Sequence, residues 1–263
     1  MNNLISNFDQ ILDFAGNLNV PVSRKRGVIR EYLHSKFISM LYSLPKSEKL
    51  SFVGGTSLRL LRDLNRFSED LDFDNLGLTD FEIAELVQEI VKRFVSEGID
   101  LELTVHNKEG KTYFDLKFPN LLIDLKISTN PREKLMIKFD YSSNWKAQKT
   151  ELILFSKYGF IQNVVTNSLG QFLVQKLVAY SGRNITQPRD IYDIVWLYSK
   201  GAKLDLEFAT SNNYPNLAND ALKRFKLEGV SDGFKNKFRP FLFNPDDVSS
   251  LDLFGEVLAK LNN

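Results

Sequence analysis

The sequence predicts a mixed α/β (α+β) protein with a helical C-terminal domain. Three observations predict it: helical spacing of apolar residues through residues 1–45, short alternating runs interleaved with amphipathic stretches over 46–165, and a helical pattern over 166–263. The chain has 263 residues and a mass of 30.3 kDa, room for one large domain or two small ones. At 43% hydrophobic and 25% charged it has the composition of a globular protein, which excludes a disordered or fibrous chain.

Taken in order, Ile11, Phe14 and Ala15, then Val28, Ile29, Tyr32, Leu33, Phe37, Met40 and Leu41, recur at three- and four-residue steps. The break from Asn17 to Pro21 divides them into two helices, with Pro21 or Ser23 opening the second and Pro45 ending it. Leu50 to Val53 is a short strand, broken by Gly54-Gly55, and Thr56 to Leu64 is a helix. Asp70-Leu71-Asp72-Phe73-Asp74 alternates strictly, as a strand does. Phe81 to Phe94 is an amphipathic helix capped by Thr79 or Asp80. Further strands are expected at Asp100–His106, Thr112–Phe118, Leu121–Ser128 and Leu152–Phe155, with Gly110 in a hairpin turn. Leu169–Tyr180, Pro188–Tyr198, Ala218–Phe225 and Val248–Leu261 carry helical spacing.

Composition removes several chemistries. With no cysteine, there is no disulfide, thiolate zinc site or thiol nucleophile, and a reducing compartment fits. Only His34 and His106 are present, far apart, which argues against a histidine-built metal site. A formal charge of +1 announces no nucleic-acid partner, so any such surface needs local clustering. Arg24-Lys25-Arg26, Lys223-Arg224-Phe225-Lys226 and Lys235-Asn236-Lys237-Phe238-Arg239 are the clusters available. The twenty-one phenylalanines read as core more readily than as base-stacking platforms. The N-terminus lacks signal-peptide order and no apolar run nears the roughly 18 residues of a membrane span, so a cytoplasmic protein without membrane attachment is expected.

The segment Phe52 to Asp74 concentrates the chemistry. Its strand, Gly-Gly turn and helix put Thr56 and Ser57 at a helix N-terminus, where unpaired amides and the helix dipole favour an anion. Glycine allows close approach, and the Ser57 hydroxyl is expected to add a donor. Further on, Asp70 and Asp72 share one strand face about 7 Å apart. Two such carboxylates repel unless a cation lies between them, and hard oxygen ligands suit Mg²⁺ or Mn²⁺. A solvated polar strand face is the competing account. A calcium loop starting at Asp70 fails, with Asn75 at its sixth position and Phe81 at its twelfth.

Gly54-Gly55-Thr56-Ser57 followed by Arg66-Phe67-Ser68-Glu69-Asp70-Leu71-Asp72-Phe73 closely resembles the AbiEii/MenT nucleotidyltransferases, toxins of bacterial type IV toxin–antitoxin and abortive-infection systems within the polymerase-beta-like superfamily. Lys176-Leu177-Val178-Ala179, Gly182-Arg183 and Pro188-Arg189-Asp190-Ile191-Tyr192-Asp193 resemble that family's second block, which carries a catalytic lysine and aspartate. Physically, Lys176 interrupts an apolar helix and must reach solvent or an anion, while Asp190 and Asp193 lie one turn apart on the next helix, which Pro188 opens. Snorkelling of Lys176 and simple N-terminal charge compensation by Asp190 are the plainer readings.

The resemblance implies a nucleotidyltransferase mixed sheet flanked by helices, with a domain at 46–165 between the N-terminal helical segment 1–45 and the C-terminal helical domain 166–263. It implies NMP transfer from an NTP, with Gly55, Thr56 and Ser57 holding the triphosphate and Asp70 and Asp72 holding one or two Mg²⁺ (or Mn²⁺). Lys176 would contact phosphate, Asp190 would orient Lys176 or help activate the acceptor, and Arg66 and Ser68 would support the metal loop or nucleotide. A third acid is expected on a later strand; Asp124 is the candidate, facing the same way as Lys126, in reverse of the family's Lys-x-Glu order. The implied acceptor is the 3′ end of a tRNA, the outcome a block of translation, and the partner an antitoxin encoded nearby. The alternatives are transfer onto a protein hydroxyl, as in AMP-transferring relatives, or an inactive binding module.

Overall fold

In the computed structural model, which describes residues 3–108 and 111–262, the chain forms two compact units. The first comprises residues 1–63, 67–143 and 152–166; the second comprises 64–66, 144–151 and 167–263.

The first unit runs α1 (Asn3–Ser6), α2 (Phe8–Asn17), α3 (Lys25–Tyr42), β1 (Leu50–Val53), α4 (Gly54–Arg62), β2 (Asp70–Asn75), α5 (Asp80–Ser96), β3 (Glu102–Lys108), β4 (Lys111–Phe118), α6 (Leu121–Asp124) and β5 (Leu135–Ser142). The chain continues through β6 (Thr150–Lys157) and β7 (Phe160–Asn167). Residues 1–45 therefore cluster with the sheet. The seven strands form one mixed sheet in the order β3-β4-β5-β2-β1-β7-β6, with β2 antiparallel to β1 but parallel to β5. β1 and β7 are parallel, and Tyr42 ties them by donating to the carbonyls of Leu50 (2.6 Å) and Val165 (3.0 Å).

One face of this sheet is the core. Phe52 stacks on Phe73 (5.2 Å between centroids), Phe73 on Phe139 (4.8 Å), and Phe37 of α3 covers Phe139 (5.7 Å). Phe94 of α5 meets Phe118 edge-on. These rings are fully buried, and burial of each contributes roughly 1.5–3 kcal/mol. Because side chains alternate along a strand, filling this face with Leu71 and Phe73 leaves Asp70 and Asp72 to the other. Helix α4 is anchored by a buried ion pair, Arg59 to Glu31, at 3.0 Å and 3.1 Å. Helix α5 starts with the capping box that Thr79 announces: Glu82 N–H donates to Thr79 Oγ1, and Thr79 N–H donates to Glu82 Oε2.

Several sequence expectations need correction. Gly54-Gly55 ends β1 after Val53 as expected, but the helix that follows already includes these glycines and runs Gly54–Arg62 rather than Thr56–Leu64. Leu121–Ser128 is not a strand: Asn120, at φ 61°, turns the chain after Pro119, and Leu121 to Asp124 form one helical turn. There Leu121, Leu122 and Leu125 bury together, so a helical spacing wins over the apparent alternation of Ile123, Leu125 and Ile127. The strand that follows is β5, unpredicted although Leu135, Ile137, Phe139 and Tyr141 are its alternating buried residues. Strand β7 was also missed; Tyr158 and Gly159, both at positive φ, make the tight turn that pairs it with β6. Strands β3 and β4 pair antiparallel as expected, while Gly110 lies outside the described residues.

The second unit contains α7 (Leu169–Gly182), α8 (Pro188–Ser199), α9 (Leu206–Ser211), α10 (Leu217–Glu228), α11 (Asp232–Phe238) and α12 (Phe254–Leu261). Helix α7 packs on α8 and α10, with Phe254 of α12 set edge-on to Tyr180 and Phe225. Val248–Leu261 is not one helix: residues Pro245–Leu253 are 3-10, because Asn244, Ser249 and Ser250 hydrogen-bond the local backbone. Two predicted basic clusters are partly internal. Arg224 donates to the carbonyls of Tyr180, Ser181 and Arg183 at the end of α7, and Lys235 pairs with Asp252.

Candidate active site

On the polar face of the first unit, Asp70 and Asp72 are half-buried on β2, immediately beside the start of α4. The contact with α4 is close enough to demand glycine. A Cβ at Gly54 would lie 2.2 Å from Asp72 Oδ2, and Gly54 has φ +75°, so its residue type is set by space and by backbone at once. Val53 at the N-cap has no polar side chain, and the first amides of a helix have no partner within it.

The hydroxyls behave otherwise than the sequence suggested. Ser57 is 1% exposed and donates to the Phe52 carbonyl at 2.8 Å, with Thr166 Oγ1 at 3.1 Å. Thr56 is as buried and donates to the carbonyl of Asp70. Both side chains tie the strand–helix junction together, so Ser57 does not add an outward donor. An anion here would meet backbone N–H groups at Gly55 and its neighbours.

Asp140, rather than Asp124, shares the sheet face with Asp70 and Asp72. Asp124 is exposed in the single turn of α6 and off the sheet, so the reason for choosing it fails. In β5 the parallel register sets Asp140 beside Asp72 and Lys138 beside Asp70, all on the face away from the aromatic core. Lys138-Phe139-Asp140 also restores the lysine-first order that Asp124 and Lys126 reversed. The signal was available in the alternation of Leu135 to Tyr141. Lys138 Nζ donates to Asp140 Oδ2 at 2.6 Å and lies 4.4 Å over the Tyr113 ring. Burial would lower its pKa, but Asp140, then Asp70 and Asp72, raise it.

In the second unit, the helix pair α7–α8 holds a second cluster. Asp193, fully buried, receives Nε and Nη2 of Arg66 at 2.7 Å each and Lys176 Nζ at 2.7 Å. Burial would raise the Asp193 carboxyl, yet the Arg66 and Lys176 charges outweigh it and hold the group below the usual carboxylate range. Arg66 is placed for this by a bridge to Leu242 and by the Phe243 N–H bonded to the Asn65 carbonyl. The expectation that Asp190 orients Lys176 is therefore corrected: Asp193, one turn on, does so. Asp190 is 1% exposed and meets Arg183 Nε at 2.8 Å, an ion-pair distance without hydrogen-bond alignment. Arg66 is 3% exposed, with Nε and Nη2 both donating to Asp193. Ser68 is half-buried just ahead of β2.

The donor chemistry of Asp70, Asp72 and Asp140 fits a hard divalent cation, and an ammonium already lies among their charges. Among the described residues, no three acidic or histidine side chains are already drawn together as a metal-binding group. Among the described residues, no helix is long and apolar enough to cross a membrane.

A family model described as "Nucleotidyl transferase AbiEii toxin, Type IV TA system" matches residues 39–258. No curated protein matches the chain. Among solved structures, a candidate nucleotidyltransferase from H. pylori is 18% identical, aligned over 89% of this chain and 96% of that one with a TM-score of 0.52, which speaks to the fold alone. JHP933 from Helicobacter pylori aligns at 19% identity over 89% and 93% of the two chains, with a TM-score of 0.49. An antigenic nucleotidyltransferase-like protein from Paracoccidioides brasiliensis aligns at 17% over 82% and 91%, with a TM-score of 0.46.

Proposed function

The chain belongs to the AbiEii nucleotidyl transferase toxin family of type IV toxin–antitoxin systems, and on that premise we propose that it transfers NMP from an NTP to the 3′ end of tRNA and so blocks translation. The supporting observation is the set of carboxylates at Asp70, Asp72 and Asp140 on one sheet face, with Asp72 packed against Gly54 at the start of α4. Mg²⁺ or Mn²⁺ held by these three groups would neutralise charge on the triphosphate as pyrophosphate leaves.

The chain's own residues do the rest. The amides around Gly55 bind phosphate oxygens at the positive end of α4. In the second unit, Lys176 is an ammonium available to an anion, and Asp193, itself clamped by Arg66, fixes its direction. An acceptor hydroxyl attacks the α-phosphorus, the bond to the bridging oxygen breaks, and pyrophosphate departs while the hydroxyl proton is lost. Asp190, buried against Arg183, is not assigned as the base. An antitoxin encoded beside the gene would be the protein partner.

The test is label transfer from each of the four NTPs in Mg²⁺ with a total tRNA pool. The wild type labels tRNA, and Asp72→Ala loses roughly 10³-fold in rate, the scale of several kcal/mol of charge stabilisation. Label confined to protein would replace the tRNA acceptor with a protein hydroxyl. Full transfer by Asp72→Ala would leave only a binding module.

A further inference from the structure

The sheet has two edge strands, and they are built differently. At one edge, β3 carries Glu102, His106 and Lys108, charged or ionisable groups of the kind that discourage pairing with another chain. At the other, β6 reads Thr150-Glu151-Leu152-Ile153-Leu154-Phe155-Ser156-Lys157. From Leu152 to Ser156 it has no charge, no proline and no glycine. Phe155 is buried, whereas Leu152 and Leu154 are 66% and 65% exposed, and Ile161 on β7 is 69% exposed. An edge of this kind offers its outer N–H and C=O groups, with apolar side chains beside them, to another strand.

The hairpin decides which residues face outward. Tyr158 and Gly159, both at positive φ, form a two-residue turn, so Lys157 closes the hairpin and directs its own N–H and C=O at β7. Backbone direction alternates along a strand, so the N–H and C=O groups of Leu152, Leu154 and Ser156 point away from the sheet. A second β6 can pair with this row antiparallel about a twofold axis, and outward groups meet outward groups only when the axis passes through one residue. With the axis at Leu154, Leu152 faces Ser156 of the second copy and Glu151 faces Lys157. With the axis at Ile153, Glu151 would face Phe155 instead. The Leu154 register alone sets opposite charges across from each other, and it does so at both ends. Lys157 already pairs with Asp63, but burial and then the Arg59 charge keep its pKa below the usual lysine value, so a further carboxylate opposite it is favourable.

We infer that β6 is a dimerisation edge: two copies of this chain pair through antiparallel β6 strands about a twofold axis at Leu154, joining their sheets. The inference is independent of the nucleotidyl-transfer reading. Such an interface is isologous, so one strand must complement itself. Glu151 at one end and Lys157 at the other meet that demand, which is why the occupant is a second copy rather than a strand of another protein. At the axis Leu154 packs on Leu154. The turn sets Ile161 opposite Ser156, on the same face as Leu152 and Leu154, so the two copies form one apolar strip.

The chain has no cysteine, which makes the register directly testable. Hydrogen-bonded residues facing each other across an antiparallel pair have Cα atoms about 5.5 Å apart, within reach of a disulfide. Leu154→Cys should therefore cross-link into a covalent dimer on oxidation with diamide. Leu152→Cys should not, because its two copies stand about 13 Å apart along the strands. In sedimentation the wild type should have about twice the 30.3 kDa chain mass. Leu154→Lys and Leu154→Glu each set like charges together at the axis and should weaken the dimer at least about tenfold, while an equal mixture of the two recovers it. The exposure of Leu154 keeps these variants folded as monomers. A wild type that stays monomeric at every concentration, or that associates only with a different protein, overturns the inference. Cross-linking of Leu152→Cys as efficient as that of Leu154→Cys overturns it too.

Discussion

Around Asp193, one fully buried carboxylate is shared by two cations, Arg66 and Lys176; on β2 and β5, Lys138 pairs with Asp140 and also feels the charges of Asp70 and Asp72. The first cluster gathers two cations on one acid and suits an anion, whereas the second sets carboxylates side by side on one strand face, hard oxygen donors of the kind a divalent cation takes. They also differ in wetness. Asp193 is 0% exposed and Lys176 13%, while Lys138 and Asp140 are 30% and 34% exposed. Buried charges must be paired in fixed geometry to be tolerated at all, so the Asp193 cluster is tied to folding. Half-exposed charges relax against water, which leaves the aspartate cluster free to rearrange around a ligand. The lesson is that similar residue types do different work depending on how much water reaches them.

That contrast can be broken most directly by deleting one acid from each cluster. Asp193→Ala leaves Arg66 buried without its partner and should lower unfolding free energy by about 3–5 kcal/mol in urea titration. Asp72→Ala, by relieving repulsion, should change stability by less than about 1 kcal/mol while abolishing transfer. Equal destabilisation by both would erase the distinction. A smaller effect is expected at Gly54. Ala there meets Asp72 Oδ2 and a left-handed backbone, costing roughly 1–3 kcal/mol and displacing the carboxylate, so Mn²⁺ should no longer raise the melting temperature.

His34 sharpens the comparison from the other side, as a group buried uncharged. Burial, reinforced by Arg30, pushes its pKa down to about 3, against about 6.5 in an unfolded chain. Between those values the unfolded chain binds a proton that the native state refuses, so acid favours unfolding. Stability should fall by about 1.4 kcal/mol per pH unit below about 6.5, and His34→Gln should flatten that slope in denaturation at pH 7, 6 and 5. An unchanged slope would show that His34 is protonated in place.

Much of the fold was legible because its signals are local. Thr79 and Glu82 stand three residues apart and close a capping box; Pro188 opens α8; Leu71 and Phe73 alternate with Asp70 and Asp72. Where reading failed, local spacing admitted two answers. Ile123, Leu125 and Ile127 alternate as a strand would, but Leu121, Leu122 and Leu125 also share a helical turn, and Pro119-Asn120 settles it. Ser57 sits where an outward donor was expected, yet a carbonyl and Thr166 lie beneath it, and Thr166 is 109 residues away.

From the sequence alone came the chemistry: Asp70 and Asp72 must share a strand face because side chains alternate, a glycine turn must allow close approach beside them, and Lys176 must find an anion or water. Tertiary structure alone decided the company these residues keep. It set Asp140, not Asp124, beside Asp72, and gave Lys176 not Asp190 but Asp193, which also takes Arg66 from 127 residues away. Strand register and helix packing are set by which apolar faces bury together, and no spacing within one segment records which distant segment supplies the other face.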